Sequence, residues 1–290
     1  MPELPEVETI RRDLQEALLN KAILKLDIKK PKLIKGSIAG FKRQIESHHF
    51  VNVERRGKLL IFTLDQPETY LLIHLKMTGQ LIYVDGVSTI AGGHNPTKAE
   101  QNLKLPHKYS HVILHFVDGS TLYYNDLRQF GYLQVVDRQG REAAERKFGP
   151  EPLSSAFSLS LWQGLVRRYP RSSVKKLLLN QTAIAGIGNI YADEICFRAS
   201  IKPDRIVGQL KPKEVIDLFK SIKPILKLAI QHRGTTFNDY RDARGRKGNF
   251  VKLLAVYGRK GQSCQNCRQA VIVKIRHSGR GTHYCPNCQR

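Results

Sequence analysis

At 290 residues and 41% hydrophobic content, the chain has room for two domains and a sizeable core. Lys and Arg number 48 against 25 Asp and Glu, a net charge of +23 that points to nucleic acid first and an acidic membrane surface second. No stretch approaches about 18 uninterrupted apolar residues, and the acidic N-terminus lacks an apolar signal core, so neither a membrane span nor a signal peptide is expected. The expected compartment is the reducing cytoplasm, where paired cysteines suggest a metal before a disulfide.

The chain opens Met1-Pro2-Glu3-Leu4-Pro5-Glu6-Val7-Glu8. Removal of Met1 would leave proline with a free secondary amine. An α-amino group has a pKa of roughly 7.7–8.0, against about 10.4 for lysine, so far more of it is uncharged and nucleophilic at neutral pH. A secondary amine attacking an aldehyde-level carbon forms an iminium that cannot shed an N–H, and so serves as an electron sink. Glu3 and Glu6 stand nearby as acids or bases. The same residues also fit ordinary helix-start chemistry, with proline early and glutamate in the first turn.

Val7, Ile10, Leu14, Ala17 and Leu18 recur at helical spacing, and Asn20 can end that helix. Strand-like runs follow at Ile23–Ile28, Val51–Val53, Leu59–Leu64, Tyr70–Leu75, Gln80–Val84, His111–Val117 and Thr121–Asn125, closed by Tyr132–Val136. Asp118-Gly119 is a two-residue hairpin signal. Many short strands with turns between them predict a β-sandwich or barrel fronted by one helix. Gly86–Lys108, with Gly92-Gly93, Pro96 and Pro106, reads as a surface loop. Residues 138–155 are polar and read as a linker. Helices are expected near 158–168, 172–180, 189–198 and 212–232, and Asn238–Asn249 as a charged mobile loop. There is no internal repeat.

Cys264-x2-Cys267 and Cys285-x2-Cys288 are separated by residues 268–284. Two such hairpins complete a tetrahedron around one ion and leave no open position, so a single structural zinc is expected in preference to a pair of disulfides. Residues 256–290 contain no Asp or Glu but carry Arg259, Lys260, Arg268, Lys274, Arg276, Arg280 and Arg290, the charge pattern of a nucleic-acid binder. Cys196 lies in an apolar run and reads as core. In Ala185–Glu194 the glycines permit a tight turn, Asn189 can cap the next helix, and backbone N–H groups there can approach a phosphate. Lys58, at a strand end, either meets phosphate or is solvated. Met77 at one turn, and Arg128 and Phe130 at another, read either as a wedge that unstacks bases or as a core aromatic beside a surface arginine.

In this order these motifs resemble the formamidopyrimidine-DNA glycosylases, the bacterial bifunctional enzymes that remove oxidised purines, over essentially the whole chain. The endonuclease VIII branch, which prefers oxidised pyrimidines, typically starts Pro-Glu-Gly-Pro; Leu4 here favours the purine branch. The resemblance implies an α+β protein: an N-terminal β-sandwich with a leading helix over 1–137, a linker over 138–155, a helix–two-turn–helix domain over 156–255 and a zinc ribbon over 256–290, with DNA in the cleft between. By position it implies Pro2 as Schiff-base nucleophile, Glu3 as the acid, Glu6 assisting sugar opening, Lys58 on phosphate and in β-elimination, and Arg280 in δ-elimination. Met77, Arg128 and Phe130 would fill the gap left by a flipped nucleotide, and Arg171 and Asn189 would hold phosphates. Three departures stand out: the long 86–108 loop, Tyr109 where a DNA-contacting histidine is common, and Arg246 where relatives carry lysine in the lesion loop. The implied partner is damaged double-stranded DNA, bound by a monomer in a bacterial cytoplasm at the nucleoid, with no membrane. The rival from another class is a non-catalytic zinc-ribbon DNA binder, which would need none of Pro2, Glu3, Glu6, Lys58 and Arg280.

Overall fold

The computed structural model describes residues 1–87, 89–93, 104–235 and 249–290. Arg246 and nearly all of the 238–249 stretch lie outside the described residues. The chain divides into one unit formed by Met1–Arg146 with Arg233–Asn249, and a second formed by Lys147–His232 with Phe250–Arg290.

In the first unit, helix α1 (Leu4–Leu18) follows the apolar spacing, with Val7, Ile10, Leu14 and Leu18 buried. Asn20, at φ +63°, turns the chain into strand β1 (Ile23–Ile28). Helix α2 (Ile38–Ile45) then precedes β2 (Phe50–Arg56), β3 (Leu59–Leu64), β4 (Tyr70–His74), β5 (Gly79–Val84) and β6 (Thr89–Gly93). Strands β7 (Ser110–Phe116), β8 (Thr121–Asp126) and β9 (Tyr132–Val136) and helix α3 (Arg138–Glu145) follow. The strands form two antiparallel sheets, a five-stranded one in the order β1-β7-β8-β5-β6 and a four-stranded one in the order β2-β3-β4-β9. Both sheets and α1 feed one apolar core, including Leu14, Phe50, Phe62, Leu81, Leu114 and Leu133. The β4–β5 and β8–β9 connections each pass from one sheet to the other. They run side by side, because β5 pairs with β8 at Gly79 and Asp126 while β4 pairs with β9 at His74 and Tyr132.

Four local expectations are corrected. The expected loop 86–108 contains β6: Gly92 and Gly93 are there for close approach, not for a turn. A β-carbon on Gly92 would lie 2.2 Å from Cγ1 of Ile10 in α1, and one on Gly93 would lie 2.4 Å from the Gly79 carbonyl oxygen. The strand expected at Val51–Val53 extends over Phe50–Arg56. The polar stretch 138–155 begins with α3, capped by Asp137, whose carboxylate accepts the Gly140 N–H at 2.8 Å. The hairpin at Asp118-Gly119 uses three loop residues: Gly119 N–H donates to Phe116 C=O at 3.0 Å, and Gly119 takes φ +85°.

The second unit holds α4 (Leu159–Arg168), α5 (Val174–Leu179), α6 (Asn189–Arg198), α7 (Pro212–Gln231) and a hairpin of β10 (Val273–His277) and β11 (Arg280–Tyr284). Ser158 and Ser173 cap α4 and α5, accepting the N–H of Leu161 and Lys176. Trp162, fully buried, donates its indole N–H to the Val215 carbonyl at 3.0 Å and so locks α4 to α7. No helix among the described residues is long and apolar enough to cross a membrane.

Gly92→Ala is expected to lower stability by about 1–3 kcal/mol, because Ile10 must move off its site. Gly164→Ala, in mid-α4 with open space around the new methyl group, is expected to raise it by roughly 0.5–1 kcal/mol. Urea unfolding of both variants checks the opposite signs.

Candidate active site

The N-terminal residues are buried rather than loose. Pro2 is buried and Glu3 is 2% exposed. Glu6 accounts for this order. Its Oε2 accepts the Glu3 N–H at 2.9 Å, while its Oε1 accepts the Thr235 N–H at 2.8 Å and the Thr235 hydroxyl at 3.0 Å. One carboxylate thus joins the start of α1 to a segment 229 residues later in the chain. Gly234 lies against it at φ +78°, where a β-carbon would come within 2.6 Å of Oε1. Arg233 pairs with Asp13 further along the same helix. Across α1, Glu8 meets Arg11 at 3.0 Å, Arg12 at 2.8 Å and Arg55 of β2 at 2.9 Å. Burial alone would raise the Glu8 pKa; hydrogen bonds from Arg11 and Arg12 and the Arg55 charge hold it below the ordinary carboxylate value.

Lys58 follows Gly57, which takes φ +57° in the tight β2–β3 turn. Its side chain is largely buried, the residue being 6% exposed, so the solvated alternative does not describe it. His74, at the end of β4, was not singled out by sequence reasoning. Burial, then the ammonium groups of Lys76, Lys58 and Lys35, lower its pKa to about 3, so its imidazole is neutral at pH 7.

Met77, Arg128 and Phe130 are brought together by the paired sheet crossovers. Arg128 Nη1 lies 3.1 Å from Met77 Sδ, and the guanidinium carbon lies 4.6 Å from the Phe130 ring centre. Met77 is 41% exposed and Phe130 54%, so Phe130 is not a core aromatic. Tyr109 is half-buried immediately before β7. Its ring packs edge-on against His107 at 5.7 Å, and its C=O accepts the Asp126 N–H at 3.1 Å.

In the second unit, Arg280 is exposed next to the β10–β11 turn, where Ser278 and Gly279 take φ +49° and +74°, the pattern of a type I′ turn. Arg280 and Arg171, with Arg168 and Lys176, line a cleft of about 900 Å³. A buried ion pair sits beneath the hairpin. Lys175 Nζ lies 2.7 Å from Asp193 and donates to the Gly281 carbonyl at 3.1 Å and the Thr282 hydroxyl at 2.9 Å. Asp193 also accepts the His283 N–H at 2.8 Å. Asn189 does not cap its helix as expected: Gly188 is the N-cap, and Asn189 Nδ2 instead donates to the Gly281 carbonyl at 3.1 Å. The amide is therefore aimed at the hairpin that bears Arg280. Glu194 accepts the consecutive N–H groups of Ala255, Val256 and Tyr257 at 2.8–3.0 Å and thereby anchors the approach to the cysteine-bearing segment.

The sulfurs of Cys264, Cys267, Cys285 and Cys288 lie within 4.8 Å of one another. Zinc about 2.3 Å from each corner of a regular tetrahedron sets neighbouring sulfurs about 3.8 Å apart. Cys264–Cys288 and Cys267–Cys285 are separated by 3.7 and 3.8 Å, and all four thiols are free, so the geometry fits one ion and no disulfide. Four sulfur ligands close the coordination sphere, which makes the zinc structural.

Three family models match most of the chain: the formamidopyrimidine-DNA glycosylase N-terminal domain over residues 1–133, its H2TH domain over 148–241, and the zinc finger found in FPG and IleRS over 258–290. The chain belongs to the formamidopyrimidine-DNA glycosylase family. Relatives named formamidopyrimidine-DNA glycosylase from Carboxydothermus hydrogenoformans and Pelotomaculum thermopropionicum are 40% and 39% identical, over all of this chain and 100% and 99% of theirs. Among solved structures, a complex of Lactococcus lactis Fpg with abasic-site DNA superposes with a TM-score of 0.86 at 31% identity, covering 99% of each chain. A complex of a mutant of the same protein with Fapy-dG DNA gives 0.87 at 32% identity, covering 100% of each. The chain is thus a base-excision repair enzyme of this family with a zinc finger.

Sequence reasoning missed Thr235, Lys175 and Asp193 as well as His74. Asp193 stood in the motif around Asn189, but nothing in its spacing pointed to Lys175 or to the hairpin. Cys264→Ser is expected to take bound zinc from one ion per chain to none, because structural zinc contributes folding free energy directly. The β10–β11 hairpin should become protease-sensitive while the β-sandwich keeps its unfolding transition. Metal analysis with limited proteolysis checks this.

Proposed function

We propose that this enzyme excises oxidised purines, 8-oxoguanine and formamidopyrimidines, from duplex DNA through a Schiff base at Pro2, and then cuts the abasic strand by β- and δ-elimination. The observation that carries the reading is the immobilised start of the chain. Pro2 and Glu3 are buried at the head of α1, and Glu6 holds the Glu3 backbone in place. A non-catalytic binder has no need to order these residues. The DNA named in the solved relatives' complexes supports damaged duplex DNA as the partner.

Chemistry on C1′ requires the nucleotide to leave the stack. The Pro2 nitrogen, once freed of Met1, attacks C1′ and the glycosidic bond breaks, with Glu3 supplying a proton to the sugar oxygen or the leaving base. The resulting iminium acidifies the C2′ hydrogen. Its loss expels the 3′ phosphate, and a second elimination expels the 5′ phosphate. Lys58 holds phosphate and serves the first elimination, and Arg280 serves the second. Glu6 assists sugar opening by fixing Glu3 and Thr235 rather than by offering a loose carboxyl group. Arg171, Asn189 and Arg246 contact the DNA backbone or lesion, and Tyr109 offers a hydroxyl where an imidazole is common in relatives. Met77, Arg128 and Phe130 occupy the vacated gap, with the Arg128 fork addressing the orphaned base. The enzyme acts as a monomer in the cytoplasm, in contact with the nucleoid.

Protein lacking Met1 is expected to form a borohydride-trapped adduct with 8-oxoguanine duplexes, mapped by mass to the Pro2 peptide. An adduct on a lysine, or full activity in protein that keeps Met1 on every molecule, would overturn the assignment. Base excision needs a proton donor, whereas elimination from a ready-made abasic aldehyde does not. Glu3→Gln should therefore lose base excision by about 100-fold or more while retaining most cutting at preformed abasic sites. Parallel loss of both activities counts against the role given to Glu3.

A further inference from the structure

The turns that carry Met77 and the Arg128–Phe130 pair are joined beneath the surface by one carboxylate. Asp126, at the end of β8, is fully buried. Its Oδ1 accepts the hydroxyl hydrogen of Thr78, 48 residues earlier in the chain. The same Thr78 oxygen accepts the Arg128 backbone N–H at 2.8 Å. Asp126 Oδ2 accepts the Gly131 N–H at 2.8 Å and the Tyr124 hydroxyl at 3.4 Å. Its backbone is also fixed: its N–H donates to Tyr109 C=O at 3.1 Å, and its C=O accepts from His111 Nε2 at 2.9 Å.

Both turns are tight. Lys76 and Gln129 take φ +48° and +56°, uncommon for residues with side chains. Gly131 has no room for one, since a β-carbon would lie 1.8 Å from the Tyr124 hydroxyl and 2.7 Å from the His74 carbonyl. The polarity of the chain of bonds is specific. Oδ1 accepts from the Thr78 hydroxyl and Oδ2 from the Gly131 N–H. Thr78, by giving its hydrogen to Asp126, keeps a lone pair for Arg128. Arg128 is thereby two hydrogen bonds from Asp126, and Met77 and Phe130 are the chain neighbours of Thr78 and Gly131, which bond to Asp126 directly.

We propose that Asp126 and Thr78 are positioning residues that set the spacing of Met77, Arg128 and Phe130, and so govern insertion into the DNA and discrimination of the orphaned base. The proposal rests on the reading of that triad as the gap-filling element. Groups of this kind act only when held within about 0.5 Å of the productive geometry, and a carboxylate spanning two loops supplies that hold.

The test uses the full-length, Met1-free enzyme and three variants: Thr78→Val, Thr78→Ser and Asp126→Asn. Duplexes carry 8-oxoguanine opposite cytosine or adenine, with 2-aminopurine beside the lesion to report unstacking. Thr78→Val removes the hydroxyl without changing the shape. It should slow the fluorescence rise and reduce the cytosine-over-adenine excision ratio by about tenfold, the order expected for one lost hydrogen bond to a charged group. Asp126→Asn should act in the same direction, and Thr78→Ser should behave as wild type. Cutting of a preformed abasic site in single-stranded DNA, where there is no gap or orphaned base, should not change. An unaltered ratio and fluorescence rise in Thr78→Val overturns the proposal. So does a loss of single-strand cutting in step with excision, which would make the pair a general prop of the fold. Failure of the wild type to form a Pro2 adduct would sink the catalytic reading alone, because the fluorescence signal needs only binding.

Discussion

Chain termini are ordinarily the least ordered part of a domain, and the proposed chemistry lies at one. The constraint on the first unit is therefore to immobilise the residues at the head of α1. Glu6 meets it by accepting a backbone N–H from Glu3, and the Glu3 side chain in turn accepts the Glu6 backbone N–H. The same carboxylate accepts from Thr235, so the segment leading toward the 236–248 stretch is registered against the head of α1. A helix start that binds its own N-terminus and a distant strand of chain through one side chain is more than a helix cap. Loss of that carboxylate would disorder both at once.

The second unit solves a related problem by ionic means. Arg280 sits at the tip of a two-stranded hairpin, and such a hairpin is marginal alone. Zinc closes its base, through Cys264, Cys267, Cys285 and Cys288. Lys175 and Asp193, at 1% and 0% side-chain exposure, fix its side against α5 and α6. Removing one partner of such a pair costs about 3–5 kcal/mol, because the other charge is left buried and uncompensated. The metal sets the hairpin's existence; the ion pair sets its register on the helices.

Much of the fold was legible in the sequence. Periodic apolar residues marked α1 and the four helices of the second unit, and alternation marked most strands, since both patterns record local burial. The exceptions have physical causes. Gly92-Gly93 reads as a loop in sequence, but its lack of side chains is what lets β6 lie under α1. Helices α2 and α3 are eight residues each, too short to show a clear period. Zinc was legible because its ligands come in close pairs along the chain. The partnerships of Glu6 with Thr235, Asp126 with Thr78 and Lys175 with Asp193 were not. Each depends on which segments the topology makes neighbours, and no local pattern encodes that.

The charge of the chain takes on a different meaning once burial is considered. Six carboxylates, those of Glu3, Glu6, Glu8, Asp126, Asp193 and Glu194, are buried among the described residues, against the two ammonium groups of Lys58 and Lys175. A buried carboxylate can be satisfied by backbone N–H groups wherever the chain turns, as Glu6, Asp126 and Glu194 show. A buried ammonium needs carbonyls or an acid, as Lys175 shows. Acidic residues are thus drawn inward as ties between segments, and the surface is more positive than the net +23 of the whole chain. The two classes act on DNA differently. Exposed lysines and arginines contribute salt-dependent affinity for phosphates at any sequence. The buried acids contribute none, yet they fix where Glu3, the Arg128 loop and the Arg280 hairpin stand, and the proposed excision depends on that placement.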